Sequence, residues 1–420
     1  MAELRRELGR WDLTAIGVNQ VIGGSVFLAP ASVALALGAG WSWIAFAATA
    51  VVSLVIGLCF AEASSRFVGT GGSYLFTREA FGRFAGFEVG WMLWVTRVTS
   101  WASVINGLAD ALGYYWPGIR TGSLRVALIV GAMLVITAIN LRGIKQSAWI
   151  VNALTIGKLT PLAIFIVLGL AHVSWGALSP EATLTWAQIG GSALVLVFAY
   201  GGYEVVPVPA GESKDPVRAV PFAMVATILI AGAVMVLAQM VAVGTLPDLG
   251  HAKTPLADSA ALFMGATGAF LMTAGAAVSM SGNNMGQSLS GSRNLFALAE
   301  QGDLPRIFGH VHPAFRTPDF AIVFTTVLAL ALALSGSFVT LAKVSALARL
   351  VVYTCTCASV LALRRKGRAP FTVPFGPVVP VLGIVVAVAL MFGADRLQRV
   401  TGAIAIAAGA VLYVIARRAK

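Results

Sequence analysis

The sequence predicts an all-α integral membrane protein of about twelve transmembrane helices, with helices 1 and 6 discontinuous. Three observations carry this expectation. The 420 residues are 58% hydrophobic and only 11% charged, far below the roughly 25% that covers a water-facing domain. Apolar windows of about 20 residues, the length that crosses a bilayer, recur along the whole chain. Two of these windows are interrupted by paired glycines, and they stand five windows apart.

In chain order the windows are 12–37, 41–65, 84–113, 123–141, 148–171, 187–209, 219–244, 264–298, 318–336, 338–362, 374–393 and 398–416. The third and eighth exceed the membrane thickness and are expected to tilt or to run beyond it. Polar stretches 66–83, 210–218 and 300–317 fall between windows, and none is long enough to link separate soluble domains. One domain is expected, with 12–171 and 187–362 as two five-helix halves and 374–416 as two additional helices.

The net charge of +12 is unevenly placed. With a cytoplasmic amino terminus, 20 of the 29 basic residues fall in inside segments. Arg120, Arg125, Lys253, Arg396 and Arg399 fall outside, and Arg97, Lys158, Lys343 and Arg349 lie within windows. This is the positive-inside bias, so both termini are expected in the cytoplasm of a cell with the protein in its inner or plasma membrane. The basic excess then orients the chain and gives no reason to expect a nucleic-acid partner. Acidic residues mix with basic ones at the amino terminus, unlike a secretory signal. Cys59, Cys355 and Cys357 lie in apolar windows, which implies no disulfide framework. Neither the Cys355/Cys357 pair nor the His310/His312 pair has an obvious further ligand, so no metal or cofactor is expected.

The two broken windows are the informative part. Residues 15–30 read AIGVNQVIGGSVFLAP and residues 196–209 read LVFAYGGYEVVPVP. Gly costs about 1 kcal/mol and Pro about 3 kcal/mol relative to Ala inside a helix, so neither segment is built simply to span. Small residues also serve helix packing, which is the plainer reading of one Gly pair. Two pairs in corresponding positions, each flanked by polar residues or Pro, favour unwound backbone, which lipid tolerates only where it is buried or lines a cavity. With five helices per repeat, the second repeat is inverted relative to the first, the 5+5 arrangement that builds a midplane site from discontinuous helices. Freed N–H groups around Gly23, Gly24 and Ser25 begin the second half-helix, where an anion is favoured.

VIGGSVFLAP (21–30) resembles the helix 1 signature of amino acid–polyamine–organocation superfamily permeases. FAYGGYEVVPVPAGESKDPVRAVPFA (198–223) is similar to that superfamily's helix 6 and following loop. SRNLFALAEQGDLPRIFGHVHPAFRTPDFA (292–321) is similar to the loop after helix 8, and Gly71-Gly72-Ser73-Tyr74 to an element after helix 2. One departure stands in helix 1: Gly24 takes the place of the usual Ser, and Ser25 that of the usual Gly.

The resemblance implies an amino acid substrate. Its carboxylate would be held at Gly23, Gly24 and Ser25, with the Val21 carbonyl nearby. Its ammonium would be held by carbonyls of Phe198, Ala199 and Gly201, with Phe198 as an aromatic gate; a lipid-facing Phe198 is the alternative. Lys158 lies deep in the fifth window, where burial penalises its charged form and makes its proton available. Proton-coupled members place such a lysine against helix 1 carbonyls and helix 8 polar groups, here Ser279 or Ser281; snorkelling to the interface is the alternative. Glu204 is costly if unpaired and is read as a structural latch ahead of a substrate contact or proton carrier. Arg97 either faces the substrate side chain or pairs with Glu204 or a carbonyl. Arg97, Tyr203, Glu204 and Ser281 are thus placed at the pocket or its gate, with Lys343 and Arg349 as gate or packing partners.

The expected function is amino acid import by alternating access, as proton-coupled symport. The alternative is an exchanger of the same fold with Lys158 as a structural cation. An enzyme is not expected, because no nucleophile–base pair or set of metal ligands lies at membrane depth. A channel would want a continuous polar lining. The expected partners are the amino acid, protons and the lipid bilayer.

Overall fold

The structure is a computed structural model that describes residues 8–69, 71–142, 148–180, 183–315 and 317–418. The first window becomes α1 (Arg10–Val21) and α2 (Ser25–Leu37), bent by 44° across residues 22–24. There follow α3 (Ala39–Ser64), α4 (Ser73–Phe81), α5 (Arg83–Leu112), α6 (Gly122–Arg142) and α7 (Ala148–Gly169). The sixth window becomes α8 (Trp186–Tyr200) and two 3-10 turns, Tyr203–Val205 and Val208–Glu212, with a 42° bend between them. The rest is α9 (Pro216–Thr245), α10 (Pro255–Glu300), α11 (Asp319–Ser335), α12 (Phe338–Arg364), α13 (Val378–Phe392) and α14 (Arg396–Arg418).

The helix ends follow local chemistry. Thr185 and Gln188 form a reciprocal cap at the start of α8: the Thr185 N–H donates to Gln188 Oε1 at 3.0 Å and the Gln188 N–H to Thr185 Oγ1 at 3.4 Å. Pro216 opens α9 at a position where a missing N–H costs nothing. Two features were not foreseen. The polar stretch 66–83 contains α4, and α10 starts earlier than its window because Pro255–Met264 precedes a break at Gly265, φ 65°.

α3, α6, α9, α10, α12 and the Gln398–Ala416 part of α14 are long and apolar enough to cross a membrane, and the two bent pairs add two more. Thr155–Leu170, α11 and α13 are shorter apolar helices. α5 carries more charge; its 30 residues extend about 45 Å at 1.5 Å per residue. Val167, Leu134, Val327, Phe392 and Ile404, on five of these helices, are each more than half exposed, as side chains facing lipid are. The chain is a multi-pass membrane protein.

α5 runs through the middle, packed against α10 and α12, while α3 packs on α9, α6 on α11 and α2 on α8. At the end where α3 and α12 terminate, Glu62 is fully buried and accepts from Arg364 at 2.7 and 2.6 Å and from the Val373 N–H at 2.8 Å. Nearby, Asp303 accepts from Arg83 at 2.7 Å and from the Tyr74 hydroxyl at 3.1 Å. Burial, with the Asp303 charge beside it, pushes the Tyr74 hydroxyl up to about 12, so it stays a donor. The first set ties α3 to α12 and the second ties α4 and α5 to the turn after α10.

Candidate functional site

The break between α1 and α2 strips four carbonyls of their helical partners, and side chains from two other helices replace them. Lys158 of α7, fully buried, donates from Nζ to the carbonyls of Asn19 at 3.0 Å and Ile22 at 2.9 Å. Ser279 of α10 donates to Ile22 and Gly23, both at 3.1 Å, and Asn283 Nδ2 donates to Gln20 at 2.9 Å. The Gly23 N–H turns back to Val21 at 2.9 Å. Among the described residues, no backbone carbonyl accepts from the N–H of Gly24, Ser25 or Val26, which open α2 with the positive end of its dipole.

The second break lies directly against the first. Gly202 has φ 132°, and a Cβ there would stand 2.7 Å from the backbone C and O of Gln20. Only glycine supplies both the conformation and the approach. Beyond it Glu204, fully buried, accepts from its neighbour Gly202 N–H at 2.8 Å and from Tyr353 Oη at 3.1 Å. Its other oxygen, Oε1, lies 3.0 Å from Arg97 Nη2 and 3.0 Å from Arg349 Nε. One carboxylate therefore serves two guanidiniums in the bundle interior.

These groups join into one network. Arg97 Nη1 donates to Gln287 Oε1 at 3.2 Å, Gln287 Nε2 to Asn283 Oδ1 at 3.3 Å, and Asn283 on to the Gln20 carbonyl. Ser279, Asn283 and Gln287 follow at four-residue spacing, one stripe along α10. The chain of hydrogen bonds from Glu204 thus ends on the Gln20 carbonyl, the carbonyl next to the one of Asn19 that Lys158 holds. Lys158 and this chain meet through the backbone of residues 19–22, not through a shared hydrogen bond.

The expected site residues fall as follows. Val21, Gly23, Gly24 and Ser25 are buried at the first break, and Phe198, Ala199 and Gly201 at the second. Phe198 points inward, edge-on to Phe338 at 5.9 Å and beneath the Arg349 guanidinium at 5.8 Å. Its carbonyl accepts from the Gly201 N–H at 3.1 Å and from Arg349 Nη1 at 3.3 Å. Tyr203 stacks on Tyr353 at 5.4 Å. Arg97 pairs with Glu204. Ser281 is a correction: it is exposed, because two residues along a helix turn it about 200° away, and Ser279 makes the contacts with the break. His310 and His312 have separate partners: Asp319 at 2.7 Å for the first, the N–H groups of Ala314 and Phe315 at 3.2 Å for the second. Asn283, Gln287 and Tyr353 were missed; the four-residue spacing of polar residues in an apolar helix was the available signal for the first two.

The sequence has relatives among known proteins. A methylthioribose transporter of Bacillus subtilis is 28% identical over 440 aligned residues, covering 99% of this chain and 94% of that one. A serine/threonine exchanger of the same organism is 30% identical, covering 91% and 89%. A branched-chain amino acid permease, also from Bacillus subtilis, is 26% identical, covering 99% and 94%. The amino acid permease family model matches residues 8–416, and the chain belongs to the amino acid permease family, whose members are transporters and not enzymes.

Proposed function

We propose that the protein imports amino acids by alternating access in symport with protons, Lys158 being the proton site. The observation that carries this reading is the contact of Lys158 with the Asn19 and Ile22 carbonyls, because a lysine that gains or loses a proton there changes how the helix 1 break is held. The substrate carboxylate binds at the open N–H groups of Gly24 and Ser25. Twelve spans form two inverted five-helix halves, 12–171 and 187–362, followed by two helices in 374–416, with both termini cytoplasmic. Support for the repeat comes from packing: α2, α3, α5 and α6 each lie against the helix five spans later, α8, α9, α10 and α11.

The test is uptake of a labelled amino acid panel into proteoliposomes under an inward pH gradient without sodium. Gradient-driven accumulation that Lys158→Ala abolishes supports symport. Uptake that ignores the gradient and requires amino acid inside the vesicle supports the second reading, exchange with Lys158 as a fixed structural cation. That reading draws on the two carbonyl bonds that Lys158 makes as a donor, and on the 30% identity to a serine/threonine exchanger.

A further inference from the structure

We propose that the substrate carries net negative charge, so that the protein is a permease for acidic amino acids. This inference rests on the proposed transport reading and names the substrate class of the same site.

The site between the two breaks is short of anions. Lys158, Arg97 and Arg349 are each at most 2% exposed, and Glu204 is the one carboxylate within ion-pair distance of any of them among the described residues. Buried charges are stable only when paired and hydrogen-bonded, so the site holds cationic character that a bound carboxylate would neutralise. Donors remain to receive it. A guanidinium has five N–H bonds; Arg97 uses Nη1 on Gln287 and Nη2 on Glu204. Arg349 Nε is ion-paired with Glu204 at 3.0 Å without an aligned hydrogen bond, and Nη1 serves the Phe198 carbonyl.

A guanidinium is already anchored at the second break. The Phe198 carbonyl has two lone pairs, and they accept from the Gly201 N–H and from Arg349 Nη1. A Cβ at Gly201 would run into the Arg349 guanidinium, so that glycine leaves the notch the arginine enters. Glu204 and the Phe198 ring also hold Arg349 in place. The side chain is a fixed part of the site, and it presents a cation that the side-chain carboxylate of an acidic amino acid can pair with and a neutral side chain cannot.

A cation also lines the large crevice on α12. This crevice of about 350 Å³ between α2, α8 and α12 has a largely apolar lining that includes Val195 and Val339, and among its described lining residues Lys343 is the one charged group. Lys343 is half-buried and precedes Arg349 by six residues, about 9 Å along the helix.

The experiment compares uptake of labelled L-glutamate, L-aspartate, L-leucine and L-serine into proteoliposomes at equal concentration. The acidic pair is expected to enter at least about tenfold faster, a difference of about 1.4 kcal/mol. Arg349→Gln should remove that preference and Arg349→Lys should keep it. Because Arg349→Gln leaves Glu204 partly uncompensated, the thermal shift of the unmodified protein in detergent with L-glutamate against L-leucine is measured alongside; stabilisation by L-glutamate alone supports the inference. Faster entry of leucine or serine overturns it and leaves amino acid transport standing. Entry of none of the four, with no thermal shift, overturns both.

Discussion

Lys158 Nζ lies 2.9 Å from the carbonyl of Ile22, a residue 136 positions earlier in the chain and the first beyond the end of α1. The lysine stands where the next turn of helix would have supplied an N–H. Removing it as Lys158→Met leaves the Asn19 and Ile22 carbonyls without that donor, although Ser279 still serves Ile22. Each buried carbonyl left unpaired costs about 1–3 kcal/mol. A fall in melting temperature in detergent is expected along with the loss of concentrative uptake.

Glu204 is the single anion between two guanidiniums. Breaking a buried ion pair by removing one partner costs about 3–5 kcal/mol, so Glu204→Gln should be among the most destabilising substitutions in the bundle. The double variant Glu204→Gln with Arg349→Gln should be more stable than the sum of the two single effects implies. Denaturation of all four proteins closes the cycle; strict additivity would show that the pair is not coupled.

Gly202→Ala introduces a Cβ against the Gln20 backbone at a φ of 132°. Neither backbone can yield without separating the breaks. Transport is expected to be lost and the melting temperature to drop by more than in Gly191→Ala, where an added Cβ has open space.

On α10, Asn283→Ala leaves the Gln20 carbonyl and the Gln287 amide without a partner, and a loss of about 1–3 kcal/mol is expected. Ser281→Ala, on the exposed side, should stay within about 0.5 kcal/mol of the unmodified protein. Equal effects on the melting temperature would contradict the helix rotation described above.

Tyr74 gives a pH dependence. Its hydroxyl is raised to about 12 in the folded protein against about 10 in an unfolded chain. An acid with a raised folded pKa contributes stability that is fully present below pH 10 and is lost as the pH climbs towards 12. Melting curves should fall across that window, and Tyr74→Phe should flatten the fall.

Much of this was legible in the chain. The windows fall within a few residues of the helices, except at the start of α10, since hydrophobic length is a property of the segment alone. The glycine pairs marked both breaks because glycine is costly inside a helix. Lys158 and Glu204 were singled out because a buried charge needs a partner. What the chain did not reveal was rotation. VSMSGNNMGQS (278–288) offers small or polar residues all round the helix, so Ser279 and Ser281 were not distinguishable until packing against α1 chose a face. Arg349 was visible as a charge, but its place under the second break depends on how α12 turns relative to α8. α4 was hidden for the opposite reason: in a polar stretch, hydrophobic periodicity has little to mark.

The close approach of Gly202 to Gln20 has a mechanical consequence. With backbone in contact with backbone, the bends in the first and sixth spans cannot swing independently; two hinges share one pin. Spin labels or dyes placed across that joint should report one unchanging distance through a whole transport cycle, while labels at the outer tips of α2 and α8 sweep through the full stroke.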